Sequence, residues 1–276
     1  VLSRRMLATL DDTIVRTWST VVAHTGGDDD YYRLCVLPSG FAFVLFWTLN
    51  IPLLLFNFIP ALSPIERFKI QKGRHEPKKK VVWMILLVLF NQGLAAGLQL
   101  VPGGCTAKEQ GVAAGLSGVP TALSLAWQLP ACAMIYDVMF FFVHCTMHTK
   151  WLYRNVHYVH HRSKITIGIS SAYFHPVDYV LSGLAVMVPP LLVSTHVLTT
   201  FCWLVLFMLE TTNAHCGYRL PLLPDARANM LSDANDCARL RHGVRTLAAL
   251  LQTQAVRALC DPAADAPVTL GRSAPL

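Results

Sequence analysis

Long apolar stretches constrain this chain more than any other feature of its sequence. Residues 41–60, 81–101 and 122–143 each approach the roughly 20 apolar residues that cross a hydrocarbon core about 30 Å thick. A fourth stretch, 179–209, is too long for one straight span and contains a Pro-Pro pair, so we expect two unequal apolar helices that form a hairpin or a re-entrant element. The sequence therefore predicts an all-α fold, an integral membrane helical bundle.

Composition and charge agree with a membrane protein. The chain is 54% hydrophobic and 14% charged, which is more apolar than a soluble domain requires. Seven Lys and Arg residues lie between positions 67 and 80, directly between two apolar stretches, without a nucleic-acid-binding signature. The positive-inside rule places this loop in the cytoplasm, and two further crossings bring residues 144–178 to the same side. We therefore expect cytoplasmic histidine-rich helices and no nucleic-acid partner.

The chain divides by composition into four parts. These are an N-terminal segment (1–40), transmembrane helices (41–143), a histidine-rich region that includes the apolar hairpin (144–224) and a tail (225–276). The tail is rich in Ala, Arg and Leu and has no aromatic residue, so we expect disorder or a marginal helix there. Because the sequence begins at Val1 and not at Met, we expect it to be truncated at its N-terminus.

Histidines are concentrated in the third part. Six of the eleven lie within 32 residues, and five of these have the spacing of neighbours on one helix face: His144, His148, His157, His160 and His161. Imidazole binds iron, zinc, copper and nickel, and so many ligands exceed the four of a structural zinc site. The pattern favours more than one metal, and we interpret it as two irons. The alternative is a set of interfacial histidines at a membrane surface.

Two further residues belong to this interpretation. His215 follows the apolar hairpin and returns to the predicted cytoplasmic side, where it can join the other histidines. Asp137 lies seven residues before His144, about two helical turns away on the same face. We expect the Asp137 carboxylate to accept a hydrogen bond from an imidazole that binds the metal. The alternative is a carboxylate that snorkels to the interface or lines a wet cavity.

The segments HCTMH, HYVHH and HCGYRLP, in this order and with an apolar hairpin before the last, resemble the fatty acid hydroxylase superfamily. The resemblance is to its C-4 methylsterol oxidase and sterol desaturase branch and covers about 137–224. The family's H-x3-H and H-x2-HH boxes are matched completely. Its A-x-x-H-P-type segment is similar to SAYFHPVDY, which contains His175, and HCGYRLP is similar to its H-x-G-Y-x-x-P segment.

The resemblance implies a function. It implies a membrane-bound di-iron oxygenase of the endoplasmic reticulum that uses O2 to hydroxylate or oxidise a sterol, such as a C-4 methylsterol, or another lipid. Electrons would come from NAD(P)H through cytochrome b5 or a similar cytoplasmic carrier. The implied iron ligands are seven histidines: His144, His148, His157, His160, His161, His175 and His215.

The chain departs from the family's pattern after position 225. An H-D-x-H-H-like third box is expected within a few dozen residues of His215, but the only later histidine is His242. Since the loss coincides with the change in composition, we expect a reading-frame error, a mis-spliced product or a truncated isoform. One alternative function is a catalytically inactive membrane scaffold or lipid-binding protein with the same fold. Another is a metal transporter, although histidines gathered at one membrane face do not trace a conduction path.

Overall fold

The computed structural model describes residues 4–25, 30–99 and 111–219. The tail from residue 220 onward, with Pro221 and His242, lies outside the described residues. Within the described ranges the chain is helical, and its extended contacts are two isolated bridges, Lys69 with Tyr218 and Ala113 with His196. The long helices are α1 (Arg4–His24), α2 (Leu37–Phe58), α3 (Lys78–Leu98), α4 (Ala122–Met147), α5 (Pro176–Val193) and α6 (Val197–His215).

Five helices, α2 to α6, are long and apolar enough to cross a membrane. Large apolar side chains face outward, such as Met134 (70% exposed) and Leu192 (67% exposed), whereas Asn50 and Asn91 are fully buried. A bundle with an apolar exterior and buried polar side chains suits a lipid solvent. The predicted all-α membrane bundle is confirmed.

The apolar hairpin differs from the prediction in where it turns. Pro189 and Pro190 lie inside α5, and the turn comes later, at 194–196. The two helices have 18 and 19 residues, so they are not the unequal pair that we expected. Pro190 has no N–H to donate to the carbonyl of Val186, four residues earlier, but the indole N–H of Trp203 donates to that oxygen at 2.8 Å. This bond from α6 lets α5 continue past the prolines.

The basic loop and the histidine-rich region lie at the same end of the bundle, as the topology predicts. The backbone N–H of Ile70 donates to the Gly217 carbonyl at 2.9 Å. The side chain of Gln71 donates to the Lys164 carbonyl, and the ammonium of Lys80 donates to the Arg162 carbonyl, both at 3.0 Å. We call this the histidine end of the bundle.

Part of the segment between the histidines and α5 inserts among the spanning helices. A 3-10 turn, Gly168–Ala172, is flanked by buried Ile167 and Tyr173 and packs against the core formed by α2 and α3. A Cβ atom at Gly168 would collide with the side-chain oxygen of Asn50 in α2. Part of residues 144–178 therefore lies inside the bundle, whereas we expected the whole segment to lie on the cytoplasmic side. Non-helical backbone is tolerated at this depth because it is enclosed by protein.

Candidate metal centre

The last two turns of α4 present the first pair of histidines. The predicted span ended at 143, but α4 continues to Met147, so His144 lies on the spanning helix and His148 at its C-cap. The two residues are one turn apart, and their Nε2 atoms are 3.1 Å from each other. Two imidazoles held this close can bind a common metal.

A short helical run, 150–161, returns the chain to this pair. It contains a wide π-helical turn, Tyr153–His157, a feature that is frequent at functional sites. The His157 ring lies 4.9 Å from the His144 ring, 4.8 Å from His148 and 4.7 Å from His161, measured between centroids. Ligand atoms of His144, His148 and His157 all lie within 4.8 Å of one another. The run thus completes a three-histidine group with His161 beside it.

A buried carboxylate orients the central histidine of this group. The Nδ1 atom of His157 donates to Oδ2 of Asp178 at 2.7 Å, and the two side chains are 1% and 2% exposed. The other ring nitrogen, Nε2, is buried without a hydrogen-bond partner among the described residues. This is the arrangement of a metal-ligating histidine, whose second nitrogen bonds to a carboxylate. The sequence reasoning missed Asp178, although YFHPVD places it three residues after His175.

Two more histidines form an adjoining group. The His160 ring stacks on Phe174 at 4.4 Å and lies 6.1 Å from the His215 ring. Nδ1 of His160 is buried without a partner in the described chain. Nδ1 of His215 donates to the carbonyl of Thr211 at 2.9 Å, so its Nε2 carries the free lone pair. Each ring therefore has a nitrogen available for a metal.

Burial and neighbouring histidines keep two of the clustered rings, His160 and His161, uncharged. Desolvation, followed by the neighbouring histidines His215 and His157, holds the pKa of His160 well below its ordinary value. Desolvation and then His157 lower the pKa of His161 to about 4, while Asp178 opposes this shift. Both rings are therefore neutral at pH 7, which is the form that binds metals.

Two of the predicted site residues lie elsewhere. His175 is the N-cap of α5, where its Nδ1 accepts a hydrogen bond from the Val177 N–H at 3.3 Å. Its ring contacts none of the clustered histidines in the described part of the chain. Asp137 lies near Glu210 of α6 and makes no hydrogen bond to a described histidine, so the contact we expected is not formed. The carboxylate that reaches a clustered imidazole is Asp178.

A cavity of about 450 Å³ opens next to the histidines. His144, His160 and His215 line one part of it, and most of the remaining wall is apolar, with side chains such as Phe207 and Met208. The wall is built from all five spanning helices and from the inserted turn. Its size and lining are those of a small-molecule site.

The residues present fit a metal centre. Six imidazoles converge, two of them have buried nitrogens without a partner, and one is oriented by a carboxylate. Nitrogen ligands of this kind suit iron as well as zinc and copper. The six histidines that the fold brings together are His144, His148, His157, His160, His161 and His215.

Fold and site together define a class: membrane proteins of several spans that hold a histidine metal site beside an apolar cavity. The family model for fatty acid hydroxylase matches residues 129–237. Methylsterol monooxygenase 2-2 of Arabidopsis thaliana is 30% identical over 206 residues, which is 74% of each chain. The chain belongs to the fatty acid hydroxylase family, as its histidine boxes indicated.

Other relatives have different names. The very-long-chain aldehyde decarbonylase GL1-8 of Oryza sativa subsp. indica is 32% identical over 180 residues, 65% of each chain. Fatty acid hydroxylase domain-containing protein 2 of Homo sapiens is 30% identical over 193 residues, 66% of this chain and 55% of that protein. No solved structure matches the chain.

Proposed function

We propose that this chain is a membrane-bound di-iron oxygenase that hydroxylates or oxidises a sterol or another lipid. The observation that carries the proposal is the hydrogen bonding of the two ring nitrogens of His157. Its Nδ1 is bonded to buried Asp178 and its Nε2 has no described partner, inside a group of six histidines that borders an apolar cavity. The family membership and the relatives named as methylsterol monooxygenases support the same conclusion.

The histidines separate into two sets that could each hold an iron. His144, His148 and His157 form one set, and His160 and His215 form the other, with His161 between them. When bound, a pair of irons supplies the O2 and one-electron chemistry that amino-acid side chains lack. Each hydroxylation consumes one O2, two electrons and two protons, and yields a C–OH group and water. We also propose that His175 is not a ligand, because it caps α5.

The chain's own residues prepare the site for this chemistry. Asp178 holds His157 in one tautomer, and the Thr211 carbonyl does the same for His215. Phe174 covers one face of the His160 ring. Desolvation keeps the His160 ring neutral, and the mostly apolar lining of the cavity suits the space where a lipid carbon would lie.

The substrate proposed is a lipid that enters from the membrane. The cavity is partly open and is lined mainly by spanning helices, so an apolar molecule dissolved in the bilayer is the natural occupant. A sterol of the C-4 methylsterol type is our first choice, because two relatives are named as methylsterol monooxygenases. The relatives named as very-long-chain aldehyde decarbonylases make a long acyl chain the second choice.

The electrons are proposed to arrive from NAD(P)H through cytochrome b5 or a similar carrier at the histidine end. Lysines and arginines gather there, from the loop at 67–80 and from the helical run that carries the second histidine box. This end would face the cytoplasm by the positive-inside rule, and the membrane would be that of the endoplasmic reticulum. A cysteine placed at Lys72 should then react with an impermeant maleimide only after the cell membrane is permeabilised for cytoplasmic access.

A second candidate function is a catalytically inactive scaffold or lipid-binding protein. The observation that favours it is the sequence after 225, where His242 is the only histidine and the third box is not found. Such a protein would keep the cavity and bind lipid, but it would retain little iron. Metal content therefore separates the two functions.

Activity is tested on the full chain in nanodiscs loaded with iron under nitrogen. We would add a 4-methylsterol, O2, cytochrome b5 and its NADH-dependent reductase, and follow oxidised sterol by mass spectrometry. We expect product from the wild type and none from His148→Ala, whereas His24→Ala, on α1, should match the wild type. Full activity in His148→Ala, or iron-loaded protein that oxidises neither sterol nor acyl lipid, would contradict the proposal.

A further inference from the structure

Several polar side chains outside the histidine group face the cavity from the spanning helices, and a neighbour fixes the orientation of one of them. Gln92 of α3 lines the cavity that also contains His160 and Phe174. The preceding residue, Asn91, is buried and donates to the Phe174 carbonyl at 2.9 Å. The Phe174 ring stacks on His160, so α3 contacts the segment that lines the histidine part of the cavity one residue before Gln92.

The orientation of the Gln92 amide is fixed by a tryptophan. The Nε1 atom of Trp47 in α2 donates to Oε1 of Gln92 at 2.9 Å. An indole N–H can only donate, so the amide oxygen must be the atom that faces Trp47. The NH2 group of Gln92 has no hydrogen-bond partner among the described residues. It is therefore presented as a donor toward the cavity.

The other polar groups of the cavity do not offer a donor of fixed direction. The Ser171 hydroxyl already donates to the Gly168 carbonyl at 2.8 Å, and Ser182 donates to Asp178 at 3.4 Å. The hydroxyls of Tyr136 and Tyr179 can rotate, so each can act as donor or acceptor. Gln99, at the end of α3, also contacts a neighbour, the Ser39 hydroxyl at 2.8 Å. A hydroxyl can donate or accept and so does not fix the Gln99 amide, whereas the Trp47 indole can only donate and fixes that of Gln92.

We propose that Gln92 determines specificity by donating a hydrogen bond to an oxygen of the lipid substrate. A lipid that fills the cavity removes this amide donor from water, and an oxygen of the lipid restores its hydrogen bond. The ligand class is an apolar lipid with a hydroxyl or carbonyl oxygen close to the carbon that is oxidised. This inference rests on the proposed function, because it concerns the lipid that occupies the same cavity.

Binding of two matched steroids tests the inference without turnover. Cholestanone and cholestane share a hydrocarbon skeleton, and the carbonyl of cholestanone can only accept a hydrogen bond. We would measure the affinity of each radiolabelled steroid for the full chain in nanodiscs, with and without bound metal. The wild type should bind cholestanone about five- to tenfold more tightly than cholestane, the factor expected for one hydrogen bond in an apolar site. Equal affinities would overturn the proposal.

Variants separate this role from a structural one. Gln92→Leu should lose the preference for cholestanone while its affinity for cholestane and its metal content stay unchanged. Trp47→Phe, which keeps Gln92 but frees its amide to rotate, should reduce the preference in the same direction. Gln71→Leu, at a glutamine outside the cavity, is the control and should preserve it. An unchanged preference in both Gln92→Leu and Trp47→Phe would show that the pair only packs α2 against α3. Failure of sterol oxidation with the preference intact would refute the proposed reaction and leave this inference standing.

Discussion

Replacing Asp178 with alanine should weaken metal binding while the protein stays folded. The substitution removes the only carboxylate that bonds to His157 in the described chain, across 2.7 Å and between side chains that are 1% and 2% exposed. A charge-assisted hydrogen bond of this kind is worth about 1.5–3 kcal/mol. Loss of a carboxylate that bonds to a metal-binding histidine lowers metal affinity about 10- to 100-fold, which is about 1.4–2.7 kcal/mol and agrees with that range.

The assay is competition for iron or zinc against a chelator of known affinity, with the protein in nanodiscs. Asp178→Asn keeps an acceptor oxygen but loses the charge, so we expect a smaller loss, near tenfold. Asp137→Asn is the matched control, because that carboxylate makes no hydrogen bond to a described histidine. Thermal unfolding of the metal-free variants checks that the fold persists. Wild-type affinity in Asp178→Ala, or an equal loss in Asp137→Asn, would refute the reasoning.

Three more predictions concern the supports of the site. Gly217→Ala should destabilise the protein by about 1–2 kcal/mol or more in thermal unfolding, because Gly217 has φ of +80° and a Cβ there would collide with the Thr166 carbonyl. In the same assay the control Gly97→Ala, at an open helical position, should be neutral or slightly stabilising. His175→Ala should lower the free energy of unfolding by about 1 kcal/mol, because it removes the cap of α5. This variant should keep the metal content of the wild type, whereas His148→Ala should lose metal. Equal metal loss in both variants, measured by elemental analysis, would show that His175 is a ligand. The metal-free protein should lose stability as the pH falls from about 6.5 toward 4. The folded state lowers the pKa of His160 and His161 and so binds fewer protons than the unfolded state over this range. A melting temperature that stays constant or rises as the pH falls would contradict the prediction.

Local spacing was enough to predict much of the site. His144 and His148 are four residues apart at the end of an apolar helix, and residues with this spacing lie on the same helix face, one turn apart. Charge placement was enough to predict that the basic loop and the histidines share one end of the bundle. Both rules depend only on neighbours along the chain or on the membrane as a solvent, so they could be applied before the fold was known.

Contacts between distant segments could not be predicted in this way. In the sequence, Asp178 is indistinguishable from any acidic residue in the first turn of a helix. Only the fold brings it to His157, which lies 21 residues earlier in the chain. The same holds for the proline pair, whose missing bond is replaced by Trp203 from the next helix. The inserted turn at Gly168–Ala172 has no helical period to detect, and its insertion depends on α2 and α3.

The central claim is that these histidines hold a pair of irons, and the most direct measurement is the iron content of the purified chain. We would express the protein with added iron, purify it in nanodiscs, and determine iron and zinc per chain by elemental analysis. The account predicts about two metal ions per chain in the wild type, with iron able to occupy both positions, and a loss of metal in His157→Ala. Wild-type protein without bound metal, or His157→Ala with the same content as the wild type, would contradict it.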